Sequence, residues 1–123
     1  MPDMWTHLVG GKRVTELIAK ERWRRSVLAH GNTFILGCQA PDLFYYYNFQ
    51  PWKRDKIGNL VSAAIHNERC RDFAVSLVHG LNPASPSYIS DVVFVLGFLS
   101  HWVVDRVTHP YIHYISGFKT KLK

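Results

Sequence analysis

The segment from Tyr88 to Thr108 is apolar on most of its faces. A helix of that composition belongs at the centre of a domain, where every side can be covered. Near its end, "GFLSHWVVDRVTHPYIHY" (97–114) sets His101, Asp105, His109 and His113 at intervals of four. An α-helix repeats about every 3.6 residues, so positions i and i+4 share a face. The central helix therefore carries one polar stripe into an interior that otherwise excludes such groups. A buried, charged carboxylate without a partner is strongly destabilising, so Asp105 requires compensation. Arg106 points elsewhere on the helix, which leaves His101 one turn back and His109 about one turn on. Taken alone, such a His–Asp pair is more often a hydrogen-bonded helix–helix contact than a reactive site.

The remaining periodicities place helices around this one. Asp3 can cap a short helix through Thr6, His7 and Leu8, loosened at Gly10–Gly11. Val14, Leu17, Ile18, Val27 and Leu28 fall at helical spacings from Val14 to about Leu28. "TFILGCQ" (33–39) reads as a short buried helix ending before Pro41. An aromatic loop, "APDLFYYYNFQPWKRD" (40–55), follows. Such loops fold back on the core or wall a binding cleft. Helix resumes from about Ile57 to His79, with Leu60, Ala63, Ala64, Asn67, Cys70 and Ala74 as the inward stripe. "GLNPASPS" (80–87) separates it from the last helix, in which Pro110 predicts a break at His109. No long run alternates with period two and no hairpin signal appears, so the expected fold is all-α and bundle-like, one domain over 1–123.

Composition bounds the function. Apolar residues make up 47% and charged residues 20%, the profile of a globular rather than a disordered chain. The formal charge of +6 is concentrated at 20–25, 52–56 and 119–123. It suits phospholipid head groups, other phosphodiesters or nucleic acid, and equally a solvated basic face. Cys38 and Cys70 form no CxxC pair and read as free buried thiols. The N-terminus lacks a signal-peptide pattern, and the longest apolar run, Val92–Leu99, is too short to span a bilayer. The expected location is cytoplasmic, with no transmembrane segment.

The stripe on the central helix is not isolated. His7 sits in the first helix, Asp42 in the "APD" turn, and His66 on the inward side of the 57–79 helix. Imidazoles and carboxylates thus come from four segments, each in apolar surroundings. Zn²⁺ takes this mixture of His nitrogen and Asp oxygen, and one carboxylate can bridge two ions. His30 and His79 lie near a Gly or a helix end and read as surface or capping residues. HExxH, Glu-x-x-His, His-Asp, P-loop, GxSxG and GxGxxG patterns are all absent from the sequence.

"MPDMWTH", "LGCQAPDLFYYYNFQPW", "IHNE" and "GFLSHWVVDRVTHPYIHY", in this order, resemble the zinc-dependent phospholipase C family, most of all its short Gram-positive bacterial branch. The resemblance implies an all-α fold with three zinc ions in a cleft, similar to the P1-type nucleases, and phosphoester hydrolysis. It implies that Asp42, His66, His101 and Asp105 hold one zinc. Asp105 would bridge to a second, bound also by His7. His109, or less readily His113, would hold the third. Asp42 is then the candidate to orient or deprotonate the attacking water, and Tyr45, Tyr46 and Phe49 are candidates for substrate binding. Two features depart from the family pattern. Secreted members bind zinc through an N-terminal Trp, whereas Trp5 is internal. The family's downstream His-x-x-x-Glu does not occur after His109. The resemblance therefore implies that the 123 residues are the N-terminal part of a longer family domain, with two to three zinc ions expected.

Three functions follow. The leading expectation is a zinc-dependent phosphodiester hydrolase of the phospholipase C type, acting on phospholipid or a related phosphodiester. The alternative is a metal-dependent nuclease, with Tyr45–Tyr47, Phe49 and Trp52 stacking on bases and basic residues holding the backbone. The third is a non-catalytic helical module in which metal only staples the fold.

Overall fold

The computed structural model describes residues 4–117. It is built from α1 (Met4–Leu17), α2 (Glu21–Ala29), α3 (Gly31–Leu43), α4 (Ile57–Ala63), α5 (Cys70–His79) and α6 (Tyr88–Ile115). A 3₁₀ turn, Phe44–Tyr46, follows α3, and a π-helical turn, Ala64–Glu68, joins α4 to α5. No strand occurs among the described residues, so the all-α expectation holds.

α6 is the axis of the fold: α3 packs along it most extensively, and α1, α2 and α5 also lie against it. Two glycines make the α3–α6 approach possible. A Cβ on Gly37 would strike the Phe94 carbonyl, and a Cβ on Gly97 would strike the Phe34 carbonyl. Backbone therefore meets backbone at this crossing. Val27, Phe34, Cys38 and Val93 form the buried cluster beside it, with Val14, Ile18 and Leu96 packed at its edge. Phe98 is buried on the other side against Phe73, ring centroids 5.3 Å apart. Leu17 and Leu28, expected inside, are exposed.

Several boundaries differ from the sequence reading. α1 runs straight through Gly10–Gly11, because both glycines face neighbours: Gly10 lies against Val104 and Gly11 against Cys38 and Phe34. The chain breaks instead between Leu17 and Glu21. The proposed cap Asp3 lies outside the described residues. α3 continues past Pro41 to Leu43. The proline forfeits one backbone bond near the helix end, and its own carbonyl accepts a hydrogen bond of 2.8 Å from the Ser62 hydroxyl. The 57–79 helix is interrupted by the π turn, closed by Arg69 N–H donating to the Ala64 carbonyl at 2.8 Å. Of the expected inward stripe, Leu60, before this turn, and Asn67, within it, are exposed, whereas Cys70 is buried together with Gly58, Ser62 and Ile65.

α6 likewise continues through Pro110, without the expected break at His109. Pro110 cannot donate to the Arg106 carbonyl, but both residues are exposed and water can satisfy that oxygen. The resulting 28-residue helix is long and apolar enough to cross a bilayer, as the run Val92–Leu99 alone is not. In this fold it serves as the core helix, carrying the buried residues Val93, Val95, Gly97, Phe98, Ser100, His101 and Asp105. Cys38 and Cys70 are free and buried.

Candidate metal centre

The Gly37–Gly97 crossing determines what happens one turn further along. With the α3 and α6 backbones this close, Cys38 and Asp42 on α3 face His101 and Asp105 on α6. His101 Nδ1 lies 2.7 Å from the Cys38 carbonyl oxygen. His66, in the π turn, places its Nδ1 2.7 Å from the Ser62 carbonyl oxygen. A carbonyl can only accept, so both rings carry their proton on Nδ1 and donate it to backbone. Their Nε2 lone pairs are then free, and they face each other across 3.0 Å. Metal-binding histidines are held this way, with the far nitrogen fixing tautomer and ring orientation.

Carboxylate oxygens, which also only accept, close the same space. Asp42 Oδ1 is 3.2 Å from His66 Nε2. Asp105 Oδ2 is 3.5 Å from His101 Nε2 and 3.6 Å from His66 Nε2. The other oxygen, Oδ1, faces His7 Nε2 at 3.3 Å and His109 Nε2 at 3.5 Å. Asp42 Oδ2 is 3.6 Å from His7 Nε2. His7 also stacks on His101, ring centroids 3.8 Å apart and 12° from parallel. His7 and His101 are each 1% exposed, and Asp105 7%. Both His7 nitrogens, Asp105 Oδ1 and His109 Nε2 have no hydrogen-bond partner. Buried polar atoms are rarely left so.

The Nε2 atoms of His66 and His101 and the oxygens of Asp42 and Asp105 that face them are all acceptors, which is unfavourable unless a proton or a cation fills the gap. Two ligand groups have donor atoms within 4.8 Å of one another: His7, His101 and Asp105, and Asp42, His66 and His101. Asp105 presents one oxygen to each side, as a bridging carboxylate would.

The electrostatics respond to this crowding. Burial disfavours the charged form of Asp105, but the imidazoles of His101, His7 and His109 facing it outweigh this, holding the carboxyl far below the usual carboxylate range. Burial likewise opposes protonation of His66, yet Asp42, the Ser62 carbonyl and Asp105 together raise its pKa. Burial lowers that of His109, with Asp105 only partly offsetting it. Desolvation pushes the thiol of buried Cys38 up to about 11, and Cys38 belongs to neither ligand group.

All six residues read from the sequence as metal ligands converge: His7, Asp42, His66, His101, Asp105 and His109. His109 shares Asp105 Oδ1 with His7 and is about one-third exposed. His113 is exposed and stacks on His109 at 5.8 Å. Of the aromatic candidates, Tyr45 packs near His66, centroids 5.8 Å apart. Tyr46 lines an apolar cleft of about 650 Å³ with Pro41, Phe44, Tyr47 and Phe98. Phe49 is exposed on the loop. Trp5 is exposed on α1.

The residues that orient these candidate ligands carried little signal in the sequence. Ser62, fully buried, ties α4 to the Pro41 carbonyl beside Asp42 and contacts His66 Nδ1 at 3.2 Å. Its position four residues before His66 was the available signal. The Cys38 carbonyl and the glycine crossing left no signal of that kind, because a backbone acceptor and a close approach are written in no single side chain.

A family model described as zinc-dependent phospholipase C matches residues 6–123. No curated protein and no solved structure matches the chain.

Proposed function

The chain belongs to the zinc-dependent phospholipase C family, and we propose that it is a phosphodiester hydrolase in which His7, Asp42, His66, His101, Asp105 and His109 hold two to three zinc ions. The observation that carries this reading is the pair of Nε2 lone pairs facing each other at 3.0 Å, both tautomers being locked by backbone carbonyls. The donor set fits zinc in kind, since it is neutral imidazole nitrogen and carboxylate oxygen, and its orphaned buried atoms lack any other partner.

Zinc held by these residues would lower the pKa of water and neutralise charge on the phosphoryl oxygens of a diester. The chain's own residues supply orientation. The Cys38 and Ser62 carbonyls hold the protons of His101 and His66 away from the site. Asp105 divides its two oxygens between the two sides. Asp42, only 8% exposed, is the group we assign to orient the attacking water and accept its proton. Pro41, Phe44 and Phe98 give the neighbouring cleft apolar walls against which a lipid chain can lie.

A nuclease on the same scaffold is the second reading, favoured by exposed Trp52, Lys53 and Arg54 close in sequence to the site. Metal analysis of the purified chain, followed by parallel assays on a phosphatidylcholine analogue and on single-stranded DNA, separates the readings. The expected result is bound zinc and hydrolysis of the lipid analogue, lost by roughly a hundredfold or more in Asp105→Asn. Zinc binding with no turnover of either substrate would leave the metal as a staple of the fold.

A further inference from the structure

The chain leaves the metal centre at Asp42 and returns to it at Ser62, and the intervening loop holds its largest side chains in water. Trp52 is 75% and Phe49 67% exposed, and Tyr46, Ile57 and Leu60 are also more than half exposed. The loop is nevertheless firmly built. Gly58 lets α4 start directly against the Phe44 carbonyl, where a Cβ would clash. The Lys56 ammonium donates to the Asn48 carbonyl at 2.9 Å and to the Gln50 carbonyl at 3.5 Å. Asn48 sits in the left-handed region, φ 50°, which turns the chain sharply and which Asn tolerates better than most residues. The Asp55 carboxylate accepts from the Ile57 N–H at 2.9 Å. Lys56 and Asp55 are thus engaged in the loop itself. Lys53 and Arg54 are exposed and form no ion pair among the described residues. Aromatic side chains are held outward by a tied backbone and flanked by two unpaired cations.

Exposed apolar groups concentrated in one place mark an interaction surface. Here the partner must offer hydrocarbon and negative charge together. We propose that the 44–60 segment docks the chain on the surface of an anionic phospholipid bilayer. Trp52, Phe49 and Tyr46 enter the headgroup and acyl boundary, and Lys53 and Arg54 meet lipid phosphates. This rests on the hydrolase reading above only for its purpose, which is to bring the metal centre to a lipid interface; docking itself needs no turnover. A nucleic acid would use the aromatics and the cations, but it has no use for the aliphatic Ile57 and Leu60, and these favour lipid.

The test is co-sedimentation of the zinc-loaded chain, on ice, with vesicles of phosphatidylcholine and with vesicles of equimolar phosphatidylcholine and phosphatidylglycerol. Two surface variants, Trp52→Ser and Lys53→Glu/Arg54→Glu, are compared with the parent. Both changes lie at exposed positions, and circular dichroism checks the fold. Docking predicts binding to the anionic vesicles and about tenfold weaker binding for each variant. In a parallel assay each variant hydrolyses a soluble short-chain lipid at the parent rate and vesicle lipid more slowly. Parent that does not sediment, or variants that sediment equally, overturns the proposal. So does displacement from the vesicles by a single-stranded oligonucleotide, which would assign the surface to nucleic acid. Sedimentation without hydrolysis of the soluble lipid upholds docking while removing the hydrolase reading.

Discussion

The two halves of α6 share the same partner, α3, and differ in almost everything else. From Val93 to Phe98 the contact is close-packed and apolar, with Gly97 laid on Gly37 and Phe34 and Val27 filling the sides. From His101 to His109 α6 encloses imidazoles and carboxylates together with α1, α3 and the π turn, and several of these groups lack hydrogen-bond partners. The first half is complete as it stands, because apolar burial and dispersion stabilise it in any solution condition. The second half is a set of acceptors whose stability depends on what charge lies among them. One helix therefore serves as core at one end and as candidate metal centre at the other, and the glycine crossing is the fixed point from which both are measured.

The comparison breaks most severely at that fixed point. Gly97→Val forces side-chain atoms into the Phe34 carbonyl, so the helices must separate, and the expected loss is about 3 kcal/mol or more. Thermal unfolding reads it. Zinc affinity should fall with it, since separation misplaces His101. Next in size is Asp105→Asn. At zinc a hundredfold above its dissociation constant the wild-type chain should gain about 2.7 kcal/mol, and this increment should vanish in the variant. A zinc-induced shift that persists in Asp105→Asn would show that Asp105 is no bridge.

Ser62→Ala removes the hydroxyl donated to the Pro41 carbonyl and should cost about 1 kcal/mol. It should also weaken zinc binding by roughly tenfold, because it loosens the shell around His66. The smallest effect is the pH dependence. The pKa of His66 is raised in the folded, metal-free chain. Its protonated form therefore adds stability below its ordinary value of about 6.5, and this is lost as pH rises through the raised value. With chelator present, the stability difference between wild type and His66→Gln should shrink by under about 1 kcal/mol from about pH 6 to pH 8. With zinc it should grow over the same range, because the metal requires neutral imidazole.

Much of this was legible in the residues. The i, i+4 stripe on an otherwise apolar helix identified His101, Asp105 and His109, since burial makes each such group improbable without a partner. His7, Asp42 and His66 were legible as chemistry out of place in apolar surroundings. Where the reading missed, the cause was a signal that lives between segments. Pro41 and Pro110 predicted helix ends, but a proline ends a helix only if its lost hydrogen bond cannot be tolerated. At Pro110 solvent tolerates it, and at Pro41 the helix is already near its end. The single 57–79 helix was a misreading because a π turn interrupts it at Ala64–Glu68, and no hydrophobic period announces such a turn.

By itself the sequence determined the helical class, the candidate ligands and the place of α6 at the centre, because periodicity and composition are local properties. Only the tertiary structure decided which nitrogen of His66 and His101 faces the site, how Asp105 divides its two oxygens, and where the stripe meets Asp42 and His7. Those depend on backbone carbonyls of Cys38 and Ser62 and on the approach of Gly37 to Gly97. Backbone acceptors are present at every residue, and only packing decides which one a ring can reach.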